Sequence, residues 1–259
     1  MNELQPTLSS RCAVAIPTYN NRPTLLRLLD ELQESRYPII VVDDGSTDGT
    51  VALATQFPFV TWLRHPINRG KGAALQTAFE EAARRGFKTL ITMDADGQHL
   101  AADVAPLAAA SRQHPQAIII GHRDLHAHAS GDVPGSSKFG RQFSNFWVWI
   151  ETGLKLPDTQ SGFRAYPVEL IRALRFRRSH YDFEIEAIVR AAWRGVAILS
   201  VPIQVYYPPQ ALRVSHFRPY LDNFRLSTLH TRLVIQGWIW RLVRLLRRQD
   251  ETTQPTLSG

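Results

Sequence analysis

Asp94, Asp96 and Gln98 occupy every second position in the run TLITMDADGQHL, residues 89–100, with Gly97 and His99 alongside. Side chains at i and i+2 of an extended chain point the same way, so both carboxylates can face one ligand as the apolar run leaves the core. Their mutual repulsion needs a divalent cation, a proton or a nearby Lys or Arg to offset it, and each choice implies a different chemistry. Further acids stand at Asp43 and Asp44 in VVDDGSTDGT and at Asp158 in DTQSGFRAYP. Lys71 follows a glycine in NRGKG, Arg123 lies in GHRD, and Lys138, Arg141 and Ser144 lie in KFGRQFSN. Carboxylates suit a metal or a proton transfer. Arginines suit a phosphate, because the planar guanidinium donates two parallel hydrogen bonds and keeps its charge.

The segments that must position these residues alternate in type. CAVAIP (12–17), PIIVVDD (38–44), FVTWLRH (59–65), TLITMDAD (89–96) and AIIIGH (117–122) are short apolar runs of the buried-strand kind. Between them RPTLLRLLDELQESR, KGAALQTAFEEAARRG and AADVAPLAAASRQHP have helical spacing and end near Gly or Pro. Short connections between alternating strands and helices predict an α/β fold, a mostly parallel Rossmann-like sheet flanked by helices on both faces. Ligands of such sheets bind at the carboxyl ends of the strands, where TYNN, DDGSTDGT, NRGKG and DADGQH fall. Beyond residue 130, KFGRQFSNFWVWIETGLKL reads as an aromatic-faced helix, YDFEIEAIVRAAWRG as another, with a structural role for Glu184 and Glu186, and VAILSVPIQVYY as a strand. The expected organisation is a flexible N-terminus (1–11), a catalytic domain (12–210), a basic amphipathic segment (211–248) and a disordered tail (249–259).

Composition narrows the classes. With 259 residues and 44% hydrophobic content the chain can bury one large core, and the lone Cys12 excludes an internal disulfide framework. MNELQPTLSS lacks the basic and apolar regions of a secretion signal, and no uncharged apolar run is long enough to span a bilayer. The expectation is a cytoplasmic protein with at most peripheral contact to the cytoplasmic face of the inner or plasma membrane. The whole net charge of +7 resides between Arg213 and Arg248, which hold eight arginines and one acid, Asp222. There Gly237, Arg241, Arg244 and Arg248 share a helical face with His230, opposite Ile235, Trp238, Ile239, Leu242, Leu245 and Leu246. This is the pattern of a basic amphipathic helix that lies on a membrane surface or packs on protein.

Three readings of DADGQ remain open. It can be a solvated turn in which an Asp caps the next helix. It can be the first motif of a haloacid-dehalogenase-like phosphohydrolase, with Asp94 as nucleophile and Asp96 as acid/base; Gln98 and the position on the fourth run depart from that pattern. It can be a sugar-nucleotide site, one carboxylate turned to the nucleoside end and the other holding a metal on the diphosphate. A non-enzymatic basic binding module is a further class. GHRDLHAHASGD, with His122, His126 and His128, reads as a mobile lid rather than a zinc cluster, since no Cys accompanies the histidines.

AIPTYNN, VVDDGSTDGT, NRGKGAAL, DADGQH and DTQSGFRAYP occur in the order and spacing of family 2 glycosyltransferases, and over residues 12–208 the chain resembles the dolichyl-phosphate and polyprenyl-phosphate sugar transferases of that family. The resemblance implies a GT-A fold and an inverting transfer of a hexose from a nucleoside-diphosphate sugar to a membrane lipid phosphate. It implies that Pro17 and Tyr19 flank the nucleobase, with Asn21 where the family often has Glu. Asp43 and Asp44 contact base or ribose, Lys71 reaches phosphate, and Asp94 with Ala95 faces ribose or diphosphate. Asp96 and Gln98 are the implied ligands of Mg²⁺ or Mn²⁺, an all-oxygen set suited to either ion. Arg123, Lys138, Arg141 and Ser144 are the implied contacts of the acceptor phosphate. In the tail, RVSHFRP stands where relatives carry a Gly, Ser and Lys run, with Arg213 as an approximate partner. A phosphate acceptor is already ionised at neutral pH and needs no strong base. A hydroxyl acceptor, on a glycolipid or an aryl-polyene-type lipid, would need one, and Asp158 is the first candidate for that catalytic role.

Overall fold

The computed structural model describes residues 11–123, 129–130, 135–174, 176, 182–206 and 227–238, with backbone alone at 129–130, 135–139 and 182. The five apolar runs form β1 (Cys12–Thr18), β2 (Ile39–Asp43), β3 (Thr61–Arg64), β4 (Thr89–Thr92) and β5 (Ile118–Arg123), and VAILSVPIQVYY supplies β8 (Ile198–Ile203) and β9 (Val205–Tyr206). Between and after them come α1 (Arg22–Gln33), α2 (Leu53–Gln56), α3 (Lys71–Arg84), α4 (Val104–Gln113), α5 (Gly135–Thr152), α6 (Val168–Ala173) and α7 (Asp182–Trp193). Residues 227–238 are helical and are called α8.

Together with β7 (Arg164–Pro167), β1 to β5 and β8 form a seven-stranded sheet that runs β3-β2-β1-β4-β7-β5-β8. The pairs β1/β2, β1/β4, β2/β3 and β5/β8 are parallel. The sequence reading missed β7 (Arg164–Pro167), which lies antiparallel between β4 and β5 at the centre of the sheet. RAYP carries an arginine and a proline in four residues, so it has no apolar run to read. It is buried throughout because the helices cover it on both sides. A two-stranded sheet pairs β6 (Ala129–Ser130) with β9.

Alternation along each strand divides the core into two layers. Ala13, Ala15, Ile40, Val42, Leu90, Ile118 and Ile120 face α3, α6 and α7. Val14, Ile16, Ile39, Val41, Ile91 and Ile119 face α1 and α4. α8 belongs to the first layer, where Leu229 and Leu233 are fully buried. Its buried side is the one carrying His230 and Gly237, and Ile235 and Trp238 point outward at 55% and 70% exposure. The division of faces follows the helical period, but the face read as polar is the one that docks. Its leucines outweigh one histidine, and that histidine is paired. His230 Nδ1 lies 2.8 Å from Glu151 Oε1, and its ring stacks on Trp147. Residues 239–248, with most of the arginines that define the basic face, lie outside the described residues.

Candidate active site

The sheet register brings the polar strand ends together. Thr18 of β1 is the direct neighbour of Asp43 on β2, and Asp43 of Arg64 on β3. Pro17 precedes them in the same register, opposite Val42. Asp43 receives the Ser46 N–H on Oδ1 at 2.9 Å, while its buried Oδ2 accepts no hydrogen bond and lies 3.4 Å from Arg64 Nε. Thr18 Oγ1 and Asn21 Oδ1 are likewise buried without a hydrogen-bond partner. Buried polar atoms are paired in most folded proteins, so these unpaired acceptors at the ends of β1 and β2 are unusual. Tyr19, beside them, is half-buried.

Asp44 has a different task from its neighbour. Its Oδ1 accepts from His65 Nδ1 at 2.6 Å and from the Arg69 N–H at 2.9 Å, and its Oδ2 accepts from the Gly70 N–H at 2.7 Å. The carboxylate, expected to contact base or ribose, is buried and anchors the 68–70 loop. Gly45 permits that close packing. Its φ is +79°, and a Cβ there would lie 2.7 Å from the Asn68 nitrogen.

The loop delivers Lys71 to the first position of α3. Lys71 Nζ lies 2.6 Å from Asp94 Oδ1 and 3.1 Å from Glu184 Oε2. Burial works to lower the lysine pKa, but the two carboxylates win and raise it. Asp94 is the mirror case, with burial raising its pKa and Lys71, then His99, holding it below the usual range. Glu184, read from the sequence as structural, is therefore part of this cluster. No local signal in FEIE announces a partner 113 residues away.

Asp96 lacks such a partner. Burial, and then the charge of Asp94, push its carboxyl up to about 6, while the Gln98 N–H, Lys71 and Arg123 oppose the rise. The Gln98 N–H donates to Asp96 Oδ1 at 3.0 Å, closing the turn that presents both side chains. Ala95 between the acids is buried, and its carbonyl accepts from the Thr24 hydroxyl at 2.6 Å, fixing the turn to α1. Among the described residues no three His, Cys, Asp or Glu side chains come together to hold a metal on their own. Asp96 and Gln98 form a two-oxygen set, which fits an ion that takes its remaining ligands from water and a substrate diphosphate. His99 is buried against Phe163, and burial drives its pKa down to about 4 despite Asp94.

On the other side of the turn, Arg123 grips Asp158 with Nε at 2.6 Å and Nη2 at 3.0 Å. Arg141 donates through Nη1 to the Arg123 carbonyl at 3.1 Å, so two of the expected phosphate contacts are neighbours. The Asp158 loop that holds Arg123 also reaches the acidic turn, since its Gly162 lies against Asp94. Asp158, the candidate base for a hydroxyl acceptor, is engaged by Arg123. The side chain is 0% exposed, burial tends to raise its pKa, and its bonds and charge contact with Arg123 lower it. A carboxylate so held is a poor proton acceptor. Ser144 is buried and shares a 2.7 Å hydrogen bond with Thr159, so it braces the Asp158 loop. The Lys138 side chain and Arg213, with His126 and His128, lie outside the described residues.

Arg164 was missed. Fully buried at the start of β7, it donates to the carbonyls of Thr159, Ser161 and Glu184 at 2.6–2.7 Å and thereby ties the Asp158 loop to α7. Gly162 in that loop lies against Asp94, where a Cβ would be 2.9 Å from the carboxylate carbon.

Comparison with known proteins identifies the family. The profile described as Glycosyl transferase family 2 matches residues 13–175. An undecaprenyl-phosphate mannosyltransferase of Micrococcus luteus is 33% identical over 204 residues, covering 74% of this chain and 82% of the relative. A UDP-N-acetylglucosamine–dolichyl-phosphate N-acetylglucosaminyltransferase of Methanococcus voltae is 28% identical over 211 residues, covering 74% and 84%. Among solved structures, residues 1–349 of S. aureus TarS in complex with UDP-GlcNAc superpose with a TM-score of 0.56 at 17% identity, covering 86% of this chain and 66% of that one. The last is a likeness of fold.

Proposed function

The chain belongs to glycosyltransferase family 2, and from that premise we propose that it transfers a hexose from a nucleoside-diphosphate sugar to a polyprenyl-type lipid phosphate with inversion at the anomeric carbon. The observation that carries this reading is that the Asp158–Gly162 loop touches both sides: Gly162 lies against Asp94, while Asp158 holds Arg123, whose carbonyl receives Arg141, so one site has a place for a diphosphate and a place for a second phosphate. The nucleoside end lies over Thr18, Asn21 and Asp43, whose open acceptors suit base and ribose donors. Lys71 faces the diphosphate. A Mg²⁺ or Mn²⁺ ion held by Asp96 and Gln98 would neutralise charge on the leaving diphosphate.

Arg123 and Arg141 orient the acceptor phosphate by charge-assisted hydrogen bonds. Its oxygen attacks the anomeric carbon from the face opposite the diphosphate; the new C–O bond forms as the bond to the β-phosphate oxygen breaks, and the nucleoside diphosphate leaves. The locked state of Asp158 favours an acceptor that arrives ionised over a hydroxyl that needs a base. The acceptor implies a membrane surface. α5 supports one: beyond Arg141 its outward side carries Phe143, Phe146, Trp149 and Ile150, all exposed. No helix among the described residues is long and apolar enough to cross a membrane.

The test incubates the protein with radiolabelled UDP-glucose, GDP-mannose or UDP-N-acetylglucosamine, a polyprenyl phosphate or the matching polyprenol, and Mg²⁺ or Mn²⁺. Labelled lipid phosphate-sugar from at least one donor is the expected product. Transfer to the polyprenol alone would move the assignment to a hydroxyl acceptor, and full activity in excess EDTA would remove the metal.

A further inference from the structure

We infer that His65 is a positioning residue for the donor, acting through Asp44 to set the loop that aims Lys71. The inference rests on the reading that a nucleoside-diphosphate sugar binds at the carboxyl ends of β1, β2 and β4. His65 follows β3 and is buried, and it joins three elements. Its backbone N–H donates to the Asp43 carbonyl at 2.8 Å, its Nδ1 meets Asp44 Oδ1 at 2.6 Å, and its Nε2 lies 2.9 Å from Thr77 Oγ1 on α3. A carboxylate only accepts, so Nδ1 carries the proton and the ring holds Asp44 in a fixed orientation.

In that orientation Asp44 receives the Arg69 and Gly70 N–H groups, the last two before α3. Gly70 has φ +95°, and Gly45 packs under Asn68. The loop path is thus set by one buried acceptor and the ring that orients it. The residue it delivers is Lys71, whose ammonium sits between Asp94 and Glu184. If the ring is lost, Asp44 keeps its charge in a buried place with one partner fewer. It then turns, and the start of α3 turns with it. His65 itself has no route to the substrate, being enclosed by β2, β3 and α3.

Three variants separate positioning from general stability. His65→Asn places an amide N–H where Nδ1 stands and keeps the Asp44 bond. His65→Gln reaches toward Thr77 and loses it. Thr77→Val keeps the ring but frees its far side, and serves if the His65 variants fold poorly. Donor binding is measured by calorimetry with UDP-glucose, GDP-mannose and UDP-N-acetylglucosamine in turn, with Mg²⁺. Donor and acceptor KM are measured in the transfer assay.

His65→Gln should weaken donor binding about tenfold, the loss of one charge-assisted hydrogen bond behind the phosphate-facing lysine, with acceptor KM within about twofold. His65→Asn should stay within about twofold of the parent for both substrates, and Thr77→Val should fall between them. A merely structural role would move melting temperature alike in all three without splitting donor from acceptor. That pattern, or unchanged donor binding in His65→Gln and Thr77→Val, overturns the inference and leaves the proposed function standing. A parent protein that binds none of the three nucleotide sugars overturns both.

Discussion

Asp94 and Asp96 stand two residues apart and have opposite electrostatic fates. Lys71 neutralises the first, whereas the second is held up at about 6 by burial and by Asp94. An unfolded Asp titrates near 3.9, so the folded chain binds the Asp96 proton more tightly. Stability therefore falls as pH rises from about 4 to about 6, and the deficit persists at neutral pH unless a cation is bound. Asp96→Asn should accordingly raise the melting temperature in EDTA at pH 7 by a few degrees. In the same variant sugar transfer should fall by on the order of a hundredfold or more, as when one element of a transition-state clamp is lost. A lower melting temperature would mean that the turn is not strained by unpaired charge. Gly162→Ala makes a second test at this scale. Its Cβ would meet the Asp94 carboxylate, which Lys71 keeps from swinging aside, so kcat/KM should drop roughly tenfold and the fold should lose about 1–3 kcal/mol in a urea titration. Asp43, Asp94, Asp96 and Arg123 could be singled out from the sequence because they stand in short motifs at strand ends. Glu184, His65 and Arg164 could not. Each acts through a partner on another element, and a single sequence carries no trace of such pairings.

At the level of elements, apolar alternation and helical spacing located every parallel strand of the seven-stranded sheet and the long helices, since those segments bury one or both faces, but not the two-residue β6, which falls in the stretch read as a lid. They failed at β7, whose arginine is satisfied by three carbonyls and whose proline ends the strand. They divided α8 correctly into two faces and could not say which one the protein would take. Periodicity measures asymmetry and contains no information about the surface that receives it. The docked face predicts its own mutational pattern. Leu233→Ala removes a fully buried side chain and should cost about 2–5 kcal/mol in a urea titration. Trp238→Ser, at 70% exposure, should stay within about 0.5 kcal/mol of the parent. Equal effects would show that α8 does not dock as described. The Glu151–His230 pair beneath it is a buried contact, so Glu151→Ala should destabilise as well by stranding the imidazole.

At the scale of the molecule, six of the ten exposed large apolar side chains among the described residues lie on the pair α5 and α8, which pack together through His230, Trp147 and Phe143. Phe146 and Trp149 on α5 and Ile235 and Trp238 on α8 are 42–70% exposed. α5 also carries Arg141, so a bilayer that took up these rings would bring its phosphates to the level of the arginine pair. The sequence after α8 adds Arg241, Arg244, Arg247 and Arg248, the charge expected of a chain that meets anionic lipid. On the proposed function, two independent contributions would hold the protein on a vesicle. A fully inserted Phe or Trp ring contributes roughly 1.5–3 kcal/mol, and each arginine near an anionic surface roughly 1 kcal/mol. Salt shortens the reach of the second from about 10 Å at 0.1 M to about 3 Å at 1 M and leaves the first intact. Co-sedimentation with phosphatidylglycerol-containing vesicles should therefore weaken with salt toward a residual level set by the rings. The combined variant Phe146→Ser, Trp149→Ser, Trp238→Ser should lose that residual binding and at least about tenfold of the low-salt binding, a small part of the area term. It should still turn over a short-chain, water-soluble polyprenyl phosphate at near the parent rate, because none of the three side chains touches the site. Vesicle binding unchanged by the triple substitution would place the membrane contact elsewhere on the surface. Loss of the soluble reaction would show instead that these rings support the catalytic fold.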